Sequence, residues 1–245
     1  YTSQYTLSLH DALPISMIPD HARVAAAIPA LDAAPSVARV VLGTLEQLET
    51  VLVVDDGSSD ATGAEARAAG ARLLAHPTNL GKGAALRTAF EALFAEGFDA
   101  VVTLDADGQH VPEDIPLLLA AWREGAELVL GSRTHHFAAM GRVRRLSNGL
   151  SSWVISQVAG GVLPDVQTGF RLYTRTAVAV TGMPEPRFEA ESAVLVRAVR
   201  AGLAIRFVPV GLAFADGRTT SHYRPLVDSL RIGRAVARAR FEGVR

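Results

Sequence analysis

Two strand-like runs that end in acids, the continuous apolar "TVLVVDD" at 50–56 and "FDAVVTLD" at 98–105, constrain this chain most. A strand with one face in water alternates apolar and polar residues, whereas a continuous Val/Leu run of this length is buried on both faces. Residues 24–28, 71–77 and 126–133 ("AELVLGSR") read as further strands. Between them, 35–48, 59–69, 83–95 and 112–124 read as helices, opened by Pro, Ser or Asp; Ser58, Ser59 and Asp60 are available to cap the second. This β-α alternation predicts an α/β chain with a Rossmann-like, mostly parallel central sheet covered by helices on both faces. Ligands of such sheets bind beyond the carboxyl ends of the strands. Polar residues gather there: Asp55 and Asp56, Asp105 and Asp107, Ser132 and Arg133.

The second half is less regular. A helix is expected over 143–158, then a Gly-Gly break and "DVQTGFRLY" (165–173), which suits a strand. Another helix is expected from Glu189 to about 201, a strand pair around "AIRFVPVGLAF", and a basic helix over about 225–240. No internal repeat or long linker divides the chain, so residues 17–245 read as a single domain. The first sixteen residues, "YTSQYTLSLHDALPIS", lack the basic start and apolar core of a signal peptide and read as a non-native leader before Met17. A chain starting at Met17 is expected to keep its stability and activity.

Composition removes several classes. With 49% apolar and 20% charged residues the chain can build a sizeable core. It has no cysteine, which excludes disulfides, thiolate zinc sites and cysteine nucleophiles. A net charge of −1 does not suit a nucleic-acid binder. No apolar run reaches the ~18 residues that span a bilayer.

Four stretches carry candidate chemistry. In "TLDADGQH" (103–110), acids at i and i+2 of an extended chain point the same way, and two adjacent anions call for a compensating cation. Carboxylate and amide oxygens suit a hard ion such as Mg²⁺ or Mn²⁺, which also keeps substrate phosphates. "VVDDGSSDAT" (53–62) is either a turn with a helix cap or a site where Asp56 binds N–H or ribose hydroxyl groups, with Asp55 supporting the loop. "NLGKGAAL" (79–86) matches neither a phosphate loop nor a dinucleotide fingerprint, so Lys82 is a phosphate ligand or a surface lysine. In "DVQTGFRLY", Arg171 can clamp a phosphate or form a structural ion pair. Glu189 and Glu191 open a helix, where acids are favoured whatever their function, and Arg218, Ser221, His222 and Arg224 crowd a loop that closes over phosphates or stays solvated.

Taken in order, "IPALDAA", "VVDDGSSDAT", "NLGKGAAL", "LDADGQH", "LGSR", "QTGFRLY", "FEAES" and "SHYRP" resemble the successive motifs of family 2 glycosyltransferases, in particular the dolichyl- or polyprenyl-phosphate mannose synthase-like branch. The resemblance covers residues 24–230. It implies the GT-A nucleotide-diphospho-sugar transferase fold and inverting transfer of a sugar from a nucleotide-sugar of the GDP-mannose or UDP-hexose type. By position, Pro29, Leu31, Val54 and Ala106 would line the nucleotide and Asp56 would bind its base or ribose. Asp105 would contact the nucleotide side, and Asp107 and Gln109, from the Asp-x-Asp motif, would hold Mg²⁺ or Mn²⁺. Arg133 and Arg171 would face phosphates, Arg218 and His222 would sit in a loop closing over the diphosphate, and His110 has no assigned role.

The first motif departs from the family pattern of an aromatic, an Asn and a Glu: this chain has Leu31, Asp32 and Ala33. Leu31 cannot stack on a base as a Tyr would, which leaves the base, GDP or UDP, open. A polyprenyl phosphate or other cell-envelope acceptor is expected. An ionised lipid phosphate needs no general base; for a hydroxyl acceptor, Glu189, Glu191 or Asp165 would be the base. The expected location is the cytoplasm, with a peripheral seat at the inner face of the membrane through two basic stretches. These are Arg142, Arg144 and Arg145 before Trp153, and Arg231, Arg234, Arg238 and Arg240 among Leu230, Ile232 and Val236. Two rivals stand beside this reading. A sugar-phosphate nucleotidylyltransferase would need a Gly-rich, Arg-containing loop where "IPALDAAPS" stands, and a non-catalytic nucleotide-sugar-binding protein would bind donor without turnover.

Overall fold

The computed structural model describes residues 22–134, 152, 155–161, 163–213 and 225–241. Its strands are β1 (Val24–Ala30), β2 (Val51–Asp55), β3 (Arg72–Ala75), β4 (Ala100–Thr103), β5 (Leu128–Ser132), β6 (Arg171–Thr174) and β7 (Ile205–Pro209). They form one seven-stranded sheet in the order β3-β2-β1-β4-β6-β5-β7. β1 to β4 pair in parallel, as do β5 and β7. β6 runs antiparallel between β4 and β5, with Thr103 and Leu130 both in register with Arg171. The beginning of β6 therefore lies at the edge where β4 and β5 end, and the loop 165–170 joins the polar residues gathered there.

The helices are α1 (Ala34–Leu45), α2 (Thr62–Ala68), α3 (Lys82–Ala95), α4 (Ile115–Arg123, entered through a 3-10 turn over Pro112–Asp114), α5 (Arg175–Thr181), α6 (Glu189–Arg200) and α7 (Pro225–Phe241). Because strand side chains alternate, β1 feeds two cores. Ala25 and Ala27 pack with α3, α6 and α7 around Leu86, Phe90, Val194 and Val236. Ala26, Ile28 and Ala30 pack with α1 and α4 around Val37, Val41, Leu118 and Trp122. The central strands are buried along both faces, as their unbroken apolar runs require.

Some expectations shift. The strand pair at 204–214 is one strand, β7, because the chain after Pro209 turns onto the loop below β4: Gly211 N–H donates to Asp114 Oδ2 at 2.5 Å and Ala213 N–H to Gln109 O at 3.0 Å. α2 starts at Thr62 rather than 59, since Asp60 accepts from Thr62 N at 2.9 Å and from Ala34 N at 3.1 Å and so belongs to the loop. α5 was not expected: four of its seven residues are β-branched, but the Thr174 hydroxyl caps it by accepting from Ala177 N–H at 3.1 Å. Of the helix expected over 143–158, residues 152 and 155–159 are helical. The leader, Met17, the first basic stretch with Trp153, and Arg218 and His222 lie outside the described residues.

Candidate active site

The sheet edge beyond β1, β2 and β4 is tied together by short polar loops. Asp32, held at φ 47, accepts from Ser59 N and Oγ at 2.8 and 3.0 Å, and its own N–H donates to Ser58 Oγ at 3.0 Å. The left-handed region suits Asp better than most residues, and the two serine bonds hold it there. Ala33 N–H donates to Thr62 Oγ1 at 2.7 Å. The unusual Leu31-Asp32-Ala33 is thus a splice between the first two motifs. Pro29 and Leu31 are half-buried above it.

Asp56 differs from its expected role. Its carboxylate is 4% exposed. It accepts from Leu80 N at 3.0 Å and Gly81 N at 2.7 Å, and pairs with His76 Nδ1 at 2.7 Å. With its acceptor capacity spent on protein donors it anchors the loop before α3 instead of reaching for a base. The other nitrogen of His76 meets Thr88 Oγ1 at 3.0 Å; no sequence signal marked His76, because its partner lies twenty residues away. Asp55 accepts from Ser58 N at 2.9 Å and supports the loop as expected from the turn chemistry. Val54 also moves out of the binding set, since its side chain is fully buried in the core.

The anchored loop delivers Lys82 to the centre. Lys82 Nζ lies 2.6 Å from Asp105 Oδ1 and 2.8 Å from Glu191 Oε2, with 14% of its side chain exposed, so it is not a surface lysine. Gly83 permits this approach, because a Cβ there would stand 2.3 Å from Glu185 O and 2.7 Å from Ala190 Cβ. Burial works against the Lys82 charge, but Asp105 and Glu191 outweigh it and raise its pKa, so it stays an ammonium.

β4 stops at Thr103, earlier than expected, and Asp105 and Asp107 stand on the following turn rather than on extended chain. Thr103 Oγ1 donates to Gly169 O at 2.8 Å, and a Cβ on Gly169 would lie 2.4 Å from Asp105 Oδ2. Gly169, from "QTGF", therefore clears the space that Asp105 fills. Asp105 also meets His110 Nε2 at 3.2 Å, while the His110 ring packs edge-on against Phe170. Burial would raise the Asp105 pKa, yet Lys82, His110 and Arg133 draw it down to about 2. For His110, burial together with Arg133 and Lys82 outweighs Asp105 and lowers the pKa to about 4, so the imidazole is neutral near pH 7.

Asp107 is left differently. Burial first and the Asp105 charge second raise its pKa, only partly offset by Lys82 and Arg133, and no ion pair reaches it among the described residues. Its two oxygens accept from Gln109 N at 3.0 Å and Gln109 Nε2 at 2.8 Å. Ala106, between the two acids, is buried, and its carbonyl accepts from Ser36 Oγ at 2.6 Å, which pins the turn to α1. A divalent ion fits this spot. The Asp107 carboxylate and the Gln109 amide oxygen are hard donors, and the ion would relieve the charge that burial makes costly. Among the described residues no cluster of three or more acidic or imidazole groups could hold an ion alone, so substrate phosphates and water would supply the remaining oxygens.

Arg171 is corrected by its surroundings. It is fully buried; its guanidinium donates to Thr168 O at 2.8 Å, Val166 O at 2.9 Å and Glu191 O at 2.8 Å, and lies 3.4 Å from Tyr173 Oη. A fork spent on carbonyls braces the loop before β6 and cannot clamp a phosphate. Arg133 donates through Nε and Nη2 to Asp165 at 3.0 and 3.2 Å, and its backbone N–H adds a third bond at 3.0 Å. Asp165, 1% exposed, is thereby a structural counter-ion and not a base. The Arg133 charge still acts on Asp105 and Asp107. Glu189 and Glu191 are buried at the start of α6, and among the described residues Glu189 Oε2 and Glu191 Oε1 have no hydrogen-bond donor.

This sheet order, with an antiparallel sixth strand and acids on the turn after β4, defines a GT-A nucleotide-diphospho-sugar transferase. The chain belongs to glycosyltransferase family 2: the profile described as Glycosyl transferase family 2 matches residues 26–181, and the protein is a glycosyltransferase. It is 34% identical over 171 residues to undecaprenyl-phosphate mannosyltransferase of Micrococcus luteus, covering 65% of this chain and 70% of that one. It is 35% identical over 137 residues to polyprenol monophosphomannose synthase of Mycolicibacterium smegmatis, covering 51% of each. These relatives place it in the polyprenyl-phosphate mannose synthase-like branch. Among solved structures, glucosyl-3-phosphoglycerate synthase of Mycobacterium tuberculosis shares the fold with a TM-score of 0.70 at 22% identity, over 89% of this chain and 81% of that one. The same enzyme has been crystallised with Mn²⁺, UDP and its product (TM-score 0.67, 23% identity, over 95% of this chain and 85% of that one).

Proposed function

We propose that this glycosyltransferase moves a sugar, with inversion, from a nucleoside-diphosphate donor of the GDP-mannose or UDP-hexose type to a polyprenyl phosphate, using Mg²⁺ or Mn²⁺. One observation carries the reading. Of two acids on the turn after β4, Asp105 is neutralised by Lys82 and Asp107 is not. Asp105 is thus a fixed, ionised acceptor for donor hydroxyls, and Asp107 with Gln109 is the place for an ion carrying the diphosphate. When bound, the ion neutralises charge on the leaving diphosphate.

The remaining roles follow from position. Lys82 ties Asp105 to Glu191, whose buried Oε1 faces Arg171 Nε at 3.9 Å, so Glu191 fixes Lys82 from inside while Asp105 faces the donor. Arg133 adds positive field at the diphosphate while Asp165 holds it. An ionised lipid phosphate attacks without a base, and the likeness to an undecaprenyl-phosphate mannosyltransferase and a polyprenol monophosphomannose synthase supports such an acceptor. The single GT-A domain over 17–245, cytoplasmic and seated peripherally at the membrane, belongs to the same proposal. Among the described residues no helix is long and apolar enough to cross a membrane.

The test is a thermal-shift screen of nucleotide-sugars with and without Mn²⁺, followed by transfer of the best donor to polyprenyl phosphate. Asp107→Ala should lose transfer by at least ~100-fold, the scale set by loss of an electrostatic stabiliser, and should lose the Mn²⁺-dependent part of the thermal shift. Unchanged turnover with unchanged metal dependence would refute the assignment. Donor binding without any transfer would favour a non-catalytic binding protein.

A further inference from the structure

α7 has two apolar faces. Ala235, Val236 and Ala239 are buried, and with the partly buried Ile232 they pack against the core that includes α6. Arg200 Nη1 fastens the end of α7 by donating to Ala239 O at 2.8 Å. Ile232 and Val236, which the sequence grouped with the basic residues as one amphipathic face, therefore point into the protein. The outer face is separate. Leu230 is 71% exposed and Phe241 86% exposed, and Ala237 is exposed between them.

At 3.6 residues per turn, Leu230, Ala237 and Phe241 fall within about 40° of arc, opposite the buried set, and about 16 Å separates the first from the last. Arg234 lies beside this stripe, Arg238 flanks one side and Arg240 the other, all exposed. From Leu230 to Phe241 the helix carries no acid. An apolar stripe bordered by arginines suits a helix lying in an anionic bilayer surface, with apolar residues in the acyl boundary and guanidinium groups among lipid phosphates. Water alone gives no reason to expose a Leu and a Phe on one line, and a purely electrostatic partner would not need them.

We infer that the outer face of α7 docks this enzyme on an anionic lipid bilayer through Leu230 and Phe241, with Arg234, Arg238 and Arg240 pairing with lipid phosphates. α7 packs on α6, whose first turn carries Glu191, so the docking face lies one helix away from the site. The inference adds a surface to the proposed use of a lipid-phosphate acceptor, and its test needs neither donor nor acceptor. Vesicle flotation at low salt, with phosphatidylglycerol-containing vesicles against pure phosphatidylcholine, should recover the full chain with the anionic vesicles only. Arg234→Glu with Arg238→Glu should weaken that binding on the order of 30-fold or more, since each basic residue near the surface contributes about fivefold.

Leu230→Ser with Phe241→Ser should also release the protein, while circular dichroism stays that of the parent because both side chains are exposed. A Phe241→Trp chain should blue-shift its fluorescence on anionic vesicles alone. Equal binding to neutral vesicles, no binding at low salt, or no blue shift would overturn the inference. So would heparin capture that survives the serine pair alongside vesicle binding that also survives it, a result that assigns the patch to polyanions in general. Vesicle binding without sugar transfer would overturn the proposed function and leave the docking face standing; transfer to a detergent-dispersed acceptor without vesicle binding would do the reverse.

Discussion

Lys82 is the residue on which the site turns. It holds two carboxylates within 2.6 and 2.8 Å, the half-buried Asp105 from the turn after β4 and the buried Glu191 from α6. Removing the cation leaves two acids facing each other in a partly dry space, and breaking a buried pair costs about 3–5 kcal/mol. Lys82→Met should therefore lower stability by that order in urea unfolding and cut transfer more than donor binding. Arg171 makes a contrasting case. Its fork is spent on three carbonyls, so Arg171→Lys should cost roughly 3 kcal/mol in unfolding, because a single ammonium cannot reach all of them. Activity per folded molecule should fall less than for Lys82→Met.

His110 adds a pH signature. Its folded pKa, about 4, lies below the ordinary value of 6.5 because the imidazole is buried next to cations. Between those values the unfolded chain binds a proton that the folded chain refuses, so stability rises with pH through 4 to 6.5 and is lost on acidification. The slope amounts to roughly 2–3 kcal/mol over the window. His110→Gln should flatten melting temperature against pH there. The Asp105 contribution, with its pKa depressed from 3.8 to about 2, is lost only below that window, so the two groups separate along the pH axis.

At the scale of elements, the parallel strands were legible because burial on both faces writes itself as an unbroken apolar run. The acids at strand ends were legible for the same reason: they interrupt it. Less could be read from 165–174, where the direction of β6 depends on partners about seventy and forty residues away. The motif residues divide similarly. Asp105, Asp107 and Gln109 lie on one turn, within the reach of local reasoning, whereas the Lys82–Glu191 contact joins two helices distant in sequence. Asp56 and Arg171 misled because a charged residue in a motif looks the same whether it faces a ligand or a set of backbone groups. Gly169 is the element-scale test: Gly169→Ala puts a methyl 2.4 Å from Asp105 Oδ2 and should displace that carboxylate. Donor-induced thermal shift should drop sharply while far-ultraviolet circular dichroism is retained.

At the scale of the molecule, two cores sandwich one sheet, and the site draws on both halves of the chain. The first half supplies Lys82, Asp105 and Asp107, and the second supplies Gly169 and Glu191. The antiparallel β6 has a further consequence, for the order of events during synthesis. Among the described strands β5 pairs only with β6 and β7, both made after it. While the ribosome has yet to reach residue 171, β3-β2-β1-β4 can close as a block, but β5 has no neighbour and its apolar run stays uncovered. Pulse-labelled hydrogen exchange on refolding should accordingly protect β1, β2 and β4 before β5. The enzyme would then be born as half a sheet, and the strand that completes it is the same one that brings the last parts of the site to the edge.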